Sequence, residues 1–277
     1  MVKSVRILEA GYCHHPERMV RSGATFGLGR FPANVVVIDH EKEGIILFDT
    51  GYSGDFNQVT AKMPEMLYRL ITPVVIAPET TAKSRLQGMG ISTRDVKHVI
   101  LSHLHADHVG GVRDFPQATY HVDRPALELY RSYSKFNQVR SGFLAALLPT
   151  DFDHRVNPLD LSQFKSGNYG LGKLSFGHDL FSDGSIIIVP LPGHMKGHLG
   201  VQVQTLSGGK YLFVADAAWR NESITENILP SFVTRLIISD WGQYTKTLNE
   251  LHELHHRYPE LKIVPCHCET KVGFDVA

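Results

Sequence analysis

The chain has 277 residues, no formal net charge and a charged fraction of 20%, which fits one large domain or two small ones. The lack of a basic excess argues against a nucleic-acid partner, and no apolar run in the sequence reaches the roughly 18 residues of a membrane span. Residues 1–8 lack the apolar core of a signal peptide, and Cys13, Cys266 and Cys268 do not form a disulfide framework, so we expect a reducing, cytoplasmic location.

The first predicted elements are strands at residues 5–10, 34–39 and 44–49, and a short polar turn joins the last two as a hairpin. The Cys-His-His segment at residues 13–15 is predicted to be a solvated loop. A metal pocket is the less favoured alternative there, because adjacent histidines point apart on most backbones. Asp49 closes the third strand beside a glycine turn, as in an Asx turn.

The helix predictions depend on apolar residues spaced three and four apart. They cover residues 57–70 with a break at Pro64, 80–88, 124–133 and 240–256. Further apolar runs predict strands at residues 185–189, 201–204, 211–216 and 263–267. The stretch from Phe136 to Phe152 has no clear period. We expect core packing for most of it, and a substrate-pocket wall for some of its apolar side chains.

One stretch stands out, because a buried strand leads directly into several metal-binding side chains. The apolar residues 99–101 are followed by His103, His105, Asp107 and His108, and then by two glycines. Residues two apart lie on the same side of an extended chain, so His103 and His105 can point together. After the chain turns, Asp107 and His108 can face a second point nearby. Imidazole and carboxylate ligands suit zinc, iron or manganese, so we predict a two-metal centre.

The segment from His103 to His108 resembles the HxHxDH motif of the metallo-β-lactamase superfamily. The resemblance extends from the turn at residues 49–51 to His267. It implies a mixed α/β fold, a four-layered αββα sandwich in which two sheets face each other and the metals lie at one edge. No linker divides the chain, so we expect a single domain over residues 1–277.

The resemblance also implies the rest of the metal site, from residues that follow later apolar strands. The implied ligands are His103, His105 and His194 for one metal, Asp107, His108 and His267 for the other, and Asp216 between the two. Two divalent metal ions are therefore expected. Zinc is the first choice, with iron or manganese as alternatives.

Three further residues are expected beside the metals. The resemblance implies that Asp49 supports the ligands without binding a metal. His198 is expected to orient its neighbours by hydrogen bonds, or else to be a buried core histidine. Trp219 stands where the acyl-homoserine lactonase branch often has a tyrosine whose hydroxyl helps the substrate carbonyl. An indole has no comparable hydroxyl, and it could instead pack against an apolar part of the substrate.

The cysteines near the last ligand are expected to take no part in metal binding. If His267 faces the metals, strand alternation turns its neighbours Cys266 and Cys268 the other way. Their expected roles are packing or a free thiol.

Residues 177–194 resemble the corresponding segment of the acyl-homoserine lactonase branch. On this basis we predict a dinuclear hydrolase that opens a lactone or cleaves a carboxylic ester by attack of a metal-bound hydroxide. Asp107 is the predicted catalytic residue, a ligand that also takes the proton released. The predicted partner is a small-molecule substrate, with no nucleic acid and no membrane, and the oligomeric state is left open.

Other functions use the same ligands and remain alternatives. They are a thioesterase of glyoxalase II type, a phosphodiesterase, a redox enzyme with iron, and a non-catalytic metal-binding protein. The full ligand set argues against the non-catalytic alternative, because degenerate members generally lose ligands. A β-lactamase of the best-known subclasses is disfavoured, because it has cysteine where Asp216 stands here.

Overall fold

The computed structural model describes residues 1–24 and 27–269. The strands are β1 (Val2–Pro16), β2 (Leu28–His40), β3 (Gly44–Phe48), β4 (Val74–Val75), β5 (Val96–Ile100), β6 (Thr119–Asp123), β7 (Val156–Leu159), β8 (Lys165–Ser166), β9 (Phe176–Asp179), β10 (Ile186–Pro190), β11 (Leu199–Gln204), β12 (Lys210–Ala215) and β13 (Leu261–Pro265). The α-helices are α1 (Glu17–Val20), α2 (Asp55–Val59), α3 (Met66–Ile71), α4 (Ala82–Gly88), α5 (Ala106–Val109), α6 (Arg124–Ser132), α7 (Lys135–Arg140), α8 (Phe152–Arg155), α9 (Asn221–Thr225) and α10 (Trp241–Arg257).

Within the described residues, the strands form two sheets. The first has the order β4-β1-β2-β3-β5-β6-β7, and the second has the order β13-β12-β11-β10-β9-β8. In the first sheet, β3, β5, β6 and β7 run parallel. In the second, β10 and β12 each run antiparallel to β11, and β13 runs parallel to β12. The carboxyl ends of β10, β12 and β13 therefore lie at one edge of their sheet.

The alternation of β2 explains why the sheets lie face to face. Val35 and Val37 join an apolar cluster on the outer face of the first sheet. Val36 and Ile38 join a second cluster, which also contains Ile188 of β10 and therefore lies between the sheets. Because neighbouring side chains of a strand point to opposite faces, a continuous apolar run suits a strand that is covered on both sides.

Helices cover the outer face of each sheet. Leu86 of α4 and Leu127 of α6 pack in the outer cluster of the first sheet. Leu248 and Leu251 of α10 pack with Leu212 of β12 on the outer face of the second sheet. The layers are thus helix, sheet, sheet and helix, which confirms the predicted α/β class and αββα sandwich.

The largest difference from the predicted elements is in β1. The predicted solvated loop at residues 13–15 is wrong, because β1 stays paired with β2 to its end. Gly11 has φ of +79°, and the pairing register shifts between Glu9 and Tyr12. The glycine therefore makes a bulge inside a long strand and does not end it.

Other predicted elements agree with the structure. The break at Pro64 separates α2 from α3 as predicted. Phe143 and Phe152 are buried in the outer cluster of the first sheet, which confirms core packing, whereas Phe136 is 58% exposed. No helix within residues 1–24 and 27–269 is both long and apolar enough to cross a bilayer. The single domain stays a prediction, and part of its range, residues 270–277, lies outside the described residues.

Candidate metal centre

The side chains expected to bind metal meet at one end of the sandwich, where strands of both sheets finish. β5 ends at Ile100 and leads through His103 to His105, which lies directly before α5. From the second sheet, the expected ligands follow the carboxyl ends of three strands. These are His194 after β10, Asp216 after β12 and His267 after β13.

The first donor set consists of His103, His105, His194 and Asp216, whose ligand atoms all lie within 4.8 Å of one another. His105 Nδ1 is 2.9 Å from His103 Nε2 and 3.0 Å from His194 Nε2. Asp216 Oδ2 is 3.2 Å from His194 Nε2. Four nitrogen and oxygen donors around one point match the ligand types and number of a tetrahedral zinc site.

The second donor set shares Asp216 with the first and adds His108, Cys266 and His267 within the same limit of 4.8 Å. Asp216 Oδ1 is 3.5 Å from His108 Nε2 and 3.1 Å from His267 Nε2. Asp107 Oδ2 is 3.4 Å from His108 Nε2 and 3.5 Å from His267 Nε2. One oxygen of Asp216 therefore faces each donor set, as in a bridging carboxylate.

The donor atoms fit a cation at the second set. His108 Nε2 and Asp216 Oδ1 are buried and have no hydrogen-bond partner among the described residues. An unsatisfied buried polar atom costs about 1–3 kcal/mol. A divalent ion bound by both atoms would remove this cost, so the arrangement fits the two-metal group that the sequence resemblance implies.

Groups behind the ligands determine which ring nitrogen faces the centre. His267 donates from Nδ1 to the carbonyl oxygen of Pro32 over 2.8 Å, which leaves Nε2 free to bind a metal. His198 Nε2 accepts the backbone N–H of Asp216 over 3.1 Å. His198 thus contacts the backbone of the residue shared by the two sets, which agrees with an orienting role.

Asp49 lies behind His108 and links two of the rings. Asp49 Oδ2 accepts from His108 Nδ1 over 2.7 Å and from Ser102 Oγ over 2.8 Å, and Oδ1 accepts the Ser102 backbone N–H over 2.8 Å. Ser102 Oγ is in turn 2.9 Å from His103 Nδ1. Sequence reasoning missed Ser102. The sequence signal for Ser102 was its position, between the end of β5 and the first histidine of the motif.

Burial determines the protonation of the first donor set. It lowers the pKa of His103 and of His194 well below the ordinary value, and neighbouring histidines add to the effect. Burial also lowers the pKa of His105. These imidazoles are therefore neutral at pH 7, which is the form that binds a metal.

The two carboxylates of the centre are ionised. Burial acts to raise the pKa of Asp216, but the surrounding histidines, His267 first, hold that pKa well below its usual range. Burial also opposes ionisation of Asp107. In the metal-free centre, however, nearby carboxylates raise the pKa of His108 against the effect of burial, and the protonated ring lowers the pKa of Asp107 to about 2. Both carboxylates can therefore act as anionic ligands at neutral pH.

The backbone before Asp216 has an unusual conformation. Ala215 has φ of +43°, in a region that residues with a side chain rarely adopt. The pairing of β12 with β13 also shifts register between Phe213 and Ala215. Backbone strain of this kind clusters at functional sites, and here it directly precedes the residue that both donor sets share.

The position of Cys266 contradicts the expectation from strand alternation. β13 ends at Pro265, so Cys266 and His267 lie in a turn, where alternation no longer applies. Cys266 Sγ therefore lies in the second donor set together with His267. Cys268 Sγ lies outside both sets and accepts the backbone N–H of Asn221 over 3.1 Å.

The remaining candidates surround the centre without joining it. Trp219 is buried and packs edge-on against His194, with ring centroids 5.7 Å apart. A substrate contact from Trp219 stays a prediction. Among the described residues, Cys13, His14 and His15 belong to neither donor set. Cys13 is buried and the two histidines are half-buried, so the segment is part of a covered strand.

The fold and the shared carboxylate together define a class of protein, the metal-dependent hydrolases built on two facing sheets. A family model described as the metallo-beta-lactamase superfamily matches residues 28–267. The match covers most of the chain, and the chain belongs to this superfamily. The prediction of an enzyme of the metal-dependent hydrolase class is confirmed.

Similar proteins agree with this class. The chain is 26% identical over 242 residues to a probable metallo-hydrolase of Mycobacterium bovis, a match that covers 84% of this chain and 73% of the relative. It is 30% identical over 154 residues to the N-acyl homoserine lactonase AttM of Azorhizobium caulinodans, covering 56% of this chain and 53% of that protein. A solved N-acyl homoserine lactone hydrolase, with N-hexanoyl-L-homoserine bound at its catalytic metal centre, superposes with a TM-score of 0.71 at 21% identity, covering 96% and 94% of the two chains.

Proposed function

We propose that the protein is a dinuclear hydrolase that opens a lactone or cleaves a related carboxylic ester. The observation that carries the proposal is the orientation of Asp216, which turns Oδ2 to the first donor set and Oδ1 to the second. Zinc is the proposed metal, because histidine, carboxylate and thiol donors suit it. The expected reducing, cytoplasmic location is part of this proposal, because three cysteines do not make a disulfide framework.

Each part of the centre has a proposed role. Divalent ions bound in such sets supply Lewis acidity and lower the pKa of water. Asp107 is the proposed catalytic residue. Its Oδ2 faces His108 and His267, so its Oδ1 is the atom that we assign to accept the released proton. Asp49 and His198 hold the ligands in place through the contacts described above.

The substrate class is inferred from the surroundings of the first donor set and from the relatives. The loop after α7 packs on the centre, because a Cβ at Gly142 would lie 2.5 Å from His105 Cδ2. Phe136 of α7 and Leu70 and Ile71 of α3 expose apolar surface, and α3 and α7 are in contact. An acyl chain has apolar surface to cover here, whereas the neutral chain offers no excess of positive charge for a nucleic-acid phosphodiester. The similarity to a named N-acyl homoserine lactonase supports the same class.

The test combines metal analysis with a substrate panel. We expect two metal equivalents per chain and hydrolysis of lactones in preference to thioesters and phosphodiesters. The value of kcat/KM should rise with acyl length by up to about fourfold per methylene, since burying one methylene contributes about 0.8 kcal/mol. Phe136→Ala should flatten this dependence. Phe176→Ala, which removes an exposed phenylalanine from β9 in the second sheet, is the matched control.

Two outcomes would contradict the proposal. A stoichiometry that stays at one equivalent in the presence of added zinc, manganese or iron would exclude the dinuclear site. A metal-loaded enzyme that cleaves a phosphodiester or a thioester, and ignores lactones and esters of every chain length, would exclude the substrate class. The second outcome would leave the metal centre intact.

A further inference from the structure

The thiol of Cys266 lies where a metal ligand belongs. Its Sγ is within 4.8 Å of the ligand atoms of His108, Asp216 and His267, and the residue is buried. The thiol makes a long hydrogen bond: Sγ donates to the backbone carbonyl oxygen of Asn34 over 3.6 Å. A thiol is a weak hydrogen-bond donor, so this contact holds the sulfur only loosely.

A second observation points to a ligand at the same position. Two other members of the set, His108 Nε2 and Asp216 Oδ1, are buried and have no hydrogen-bond partner among the described residues. These two atoms therefore mark the position of a cation, and Cys266 Sγ lies in the same set of donor atoms. A cation bound by His108 Nε2 and Asp216 Oδ1 would satisfy both atoms, and Cys266 Sγ would be a further donor to the same cation.

We propose that Cys266 is a thiolate ligand at the second donor set. This inference deepens the proposed two-metal function and depends on it. As the metal–sulfur bond forms, the S–H bond breaks and the proton leaves to solvent, with no change of oxidation state. The second set then offers imidazole, carboxylate and thiolate donors, whereas the first offers imidazole and carboxylate alone.

The chemical consequence is metal selection at one of the two positions. Thiolate ligands favour zinc over manganese, which prefers oxygen donors. The first donor set, made of three imidazoles and a carboxylate, has no such ligand. We therefore expect the second set to discriminate against manganese more strongly than the first does.

Cobalt(II) provides a direct test. Metal-free enzyme reconstituted with two equivalents of cobalt(II) should show thiolate-to-metal charge-transfer absorption in the near ultraviolet. Cys266→Ser should remove this absorption and keep the visible d–d bands of bound cobalt. Cys268→Ser is the matched control, because it alters a thiol in the same segment that lies outside both donor sets, and it should keep the absorption.

X-ray absorption on the zinc-loaded wild-type enzyme gives an independent reading that needs no variant. We expect a sulfur shell at about 2.3 Å beside nitrogen and oxygen at about 2.0–2.2 Å, with one sulfur per two zinc ions. This measurement decides the question even if Cys266→Ser fails to fold.

Each outcome separates this inference from the proposed function. Two bound metals and lactone hydrolysis, without sulfur scattering or charge-transfer absorption, would overturn the thiolate ligand and leave the function standing. Absorption that persists in Cys266→Ser would also overturn the inference. Sulfur ligation without hydrolysis of any ester or lactone would support the ligand and contradict the function. Only an enzyme that binds neither zinc nor cobalt(II) would contradict both.

Discussion

Two buried groups of histidines among the described residues differ in what their ring nitrogens face. In the metal centre, nitrogens of several rings converge on the oxygens of Asp216. The second group, the inter-sheet histidines, consists of His40, His98 and His121. The rings of His40 and His98 flank Phe181, which packs against the cluster between the sheets, with ring centroids 5.5 and 5.1 Å from that of Phe181. The ring of His121 is hydrogen-bonded to that of His98.

The inter-sheet histidines are hydrogen-bonded within the protein. His98 Nδ1 is 3.0 Å from His121 Nε2, and His121 Nδ1 is 3.3 Å from Asn157 Nδ2. His40 Nε2 is 3.0 Å from Ser185 Oγ. None of the three joins a metal-binding set among the described residues. What distinguishes the metal centre is that several of its ring nitrogens converge on the two oxygens of one buried carboxylate, Asp216.

The sharpest test of this comparison removes one histidine from each group. His194→Ala should lose about one metal equivalent, and its activity should fall by more than the roughly 100-fold that loss of a supporting group can cost. His121→Ala should keep both metals and most of the activity. Its free energy of unfolding should fall by roughly 1–3 kcal/mol, because His98 Nδ1 loses a buried partner. Metal analysis, initial rates and urea unfolding measure the three quantities.

The opposite pattern would break the comparison. If His121→Ala lost metal as His194→Ala does, the inter-sheet histidines would belong to the functional site. Unfolding of the metal-free proteins serves as the control. His194→Ala should change that stability little, since its main expected role is to bind the ion.

A smaller effect is expected from the group behind the centre. Asp49→Asn replaces the carboxylate that accepts from His108 Nδ1, and it should lower metal affinity or activity by roughly 10–100-fold. The matched control is Asp39→Asn on β2, whose carboxylate pairs with Lys3 over 2.7 Å and is partly exposed. Competition with a chromophoric chelator measures the affinity. If the two variants lost equal metal affinity, the cause would be the removal of a negative charge and not the orientation of the His108 ring.

The candidate metal ligands could be selected from the sequence because their positions and the family resemblance agree. Each side chain follows an apolar strand, and strand ends deliver ligands to one edge of a sheet. The HxHxDH segment from His103 to His108 carries the family resemblance, and the resemblance implied the later ligands His194, Asp216 and His267. The long strands covered on both faces were predictable too, because runs such as residues 34–39 are continuously apolar.

Other features depend on where an element ends, which the sequence pattern leaves open. Gly11 is compatible both with the end of a strand and with a bulge inside one. Because β1 stays paired with β2 on both sides of Gly11, the glycine forms a bulge. Strand alternation turns Cys266 away only if β13 continues past Pro265, and it does not. The acceptor for His267 is the backbone carbonyl of Pro32, and a carbonyl has no signal in the sequence.

The smallest expected effect concerns pH and the inter-sheet histidines alone. Burial, with His98 and His178 adding to it, lowers the pKa of His121 from 6.5 to about 3. The unfolded chain therefore takes up the proton first, and the stability contributed by neutral His121 is complete above pH 6.5 and is lost as the pH falls toward 3. The slope for one proton is about 1.4 kcal/mol per pH unit.

The experiment compares urea unfolding of metal-free wild-type protein and His121→Ala between pH 8 and pH 5. The advantage of the wild type should be constant at the alkaline end and should shrink as the pH drops below 6.5, because His121→Ala lacks the group that titrates. The histidines of the metal centre titrate in both proteins, so their contribution cancels in the difference. A difference that stays constant over the whole range would mean that His121 is not held neutral by burial. The inter-sheet histidines would then differ from those of the metal centre only in the geometry of their contacts.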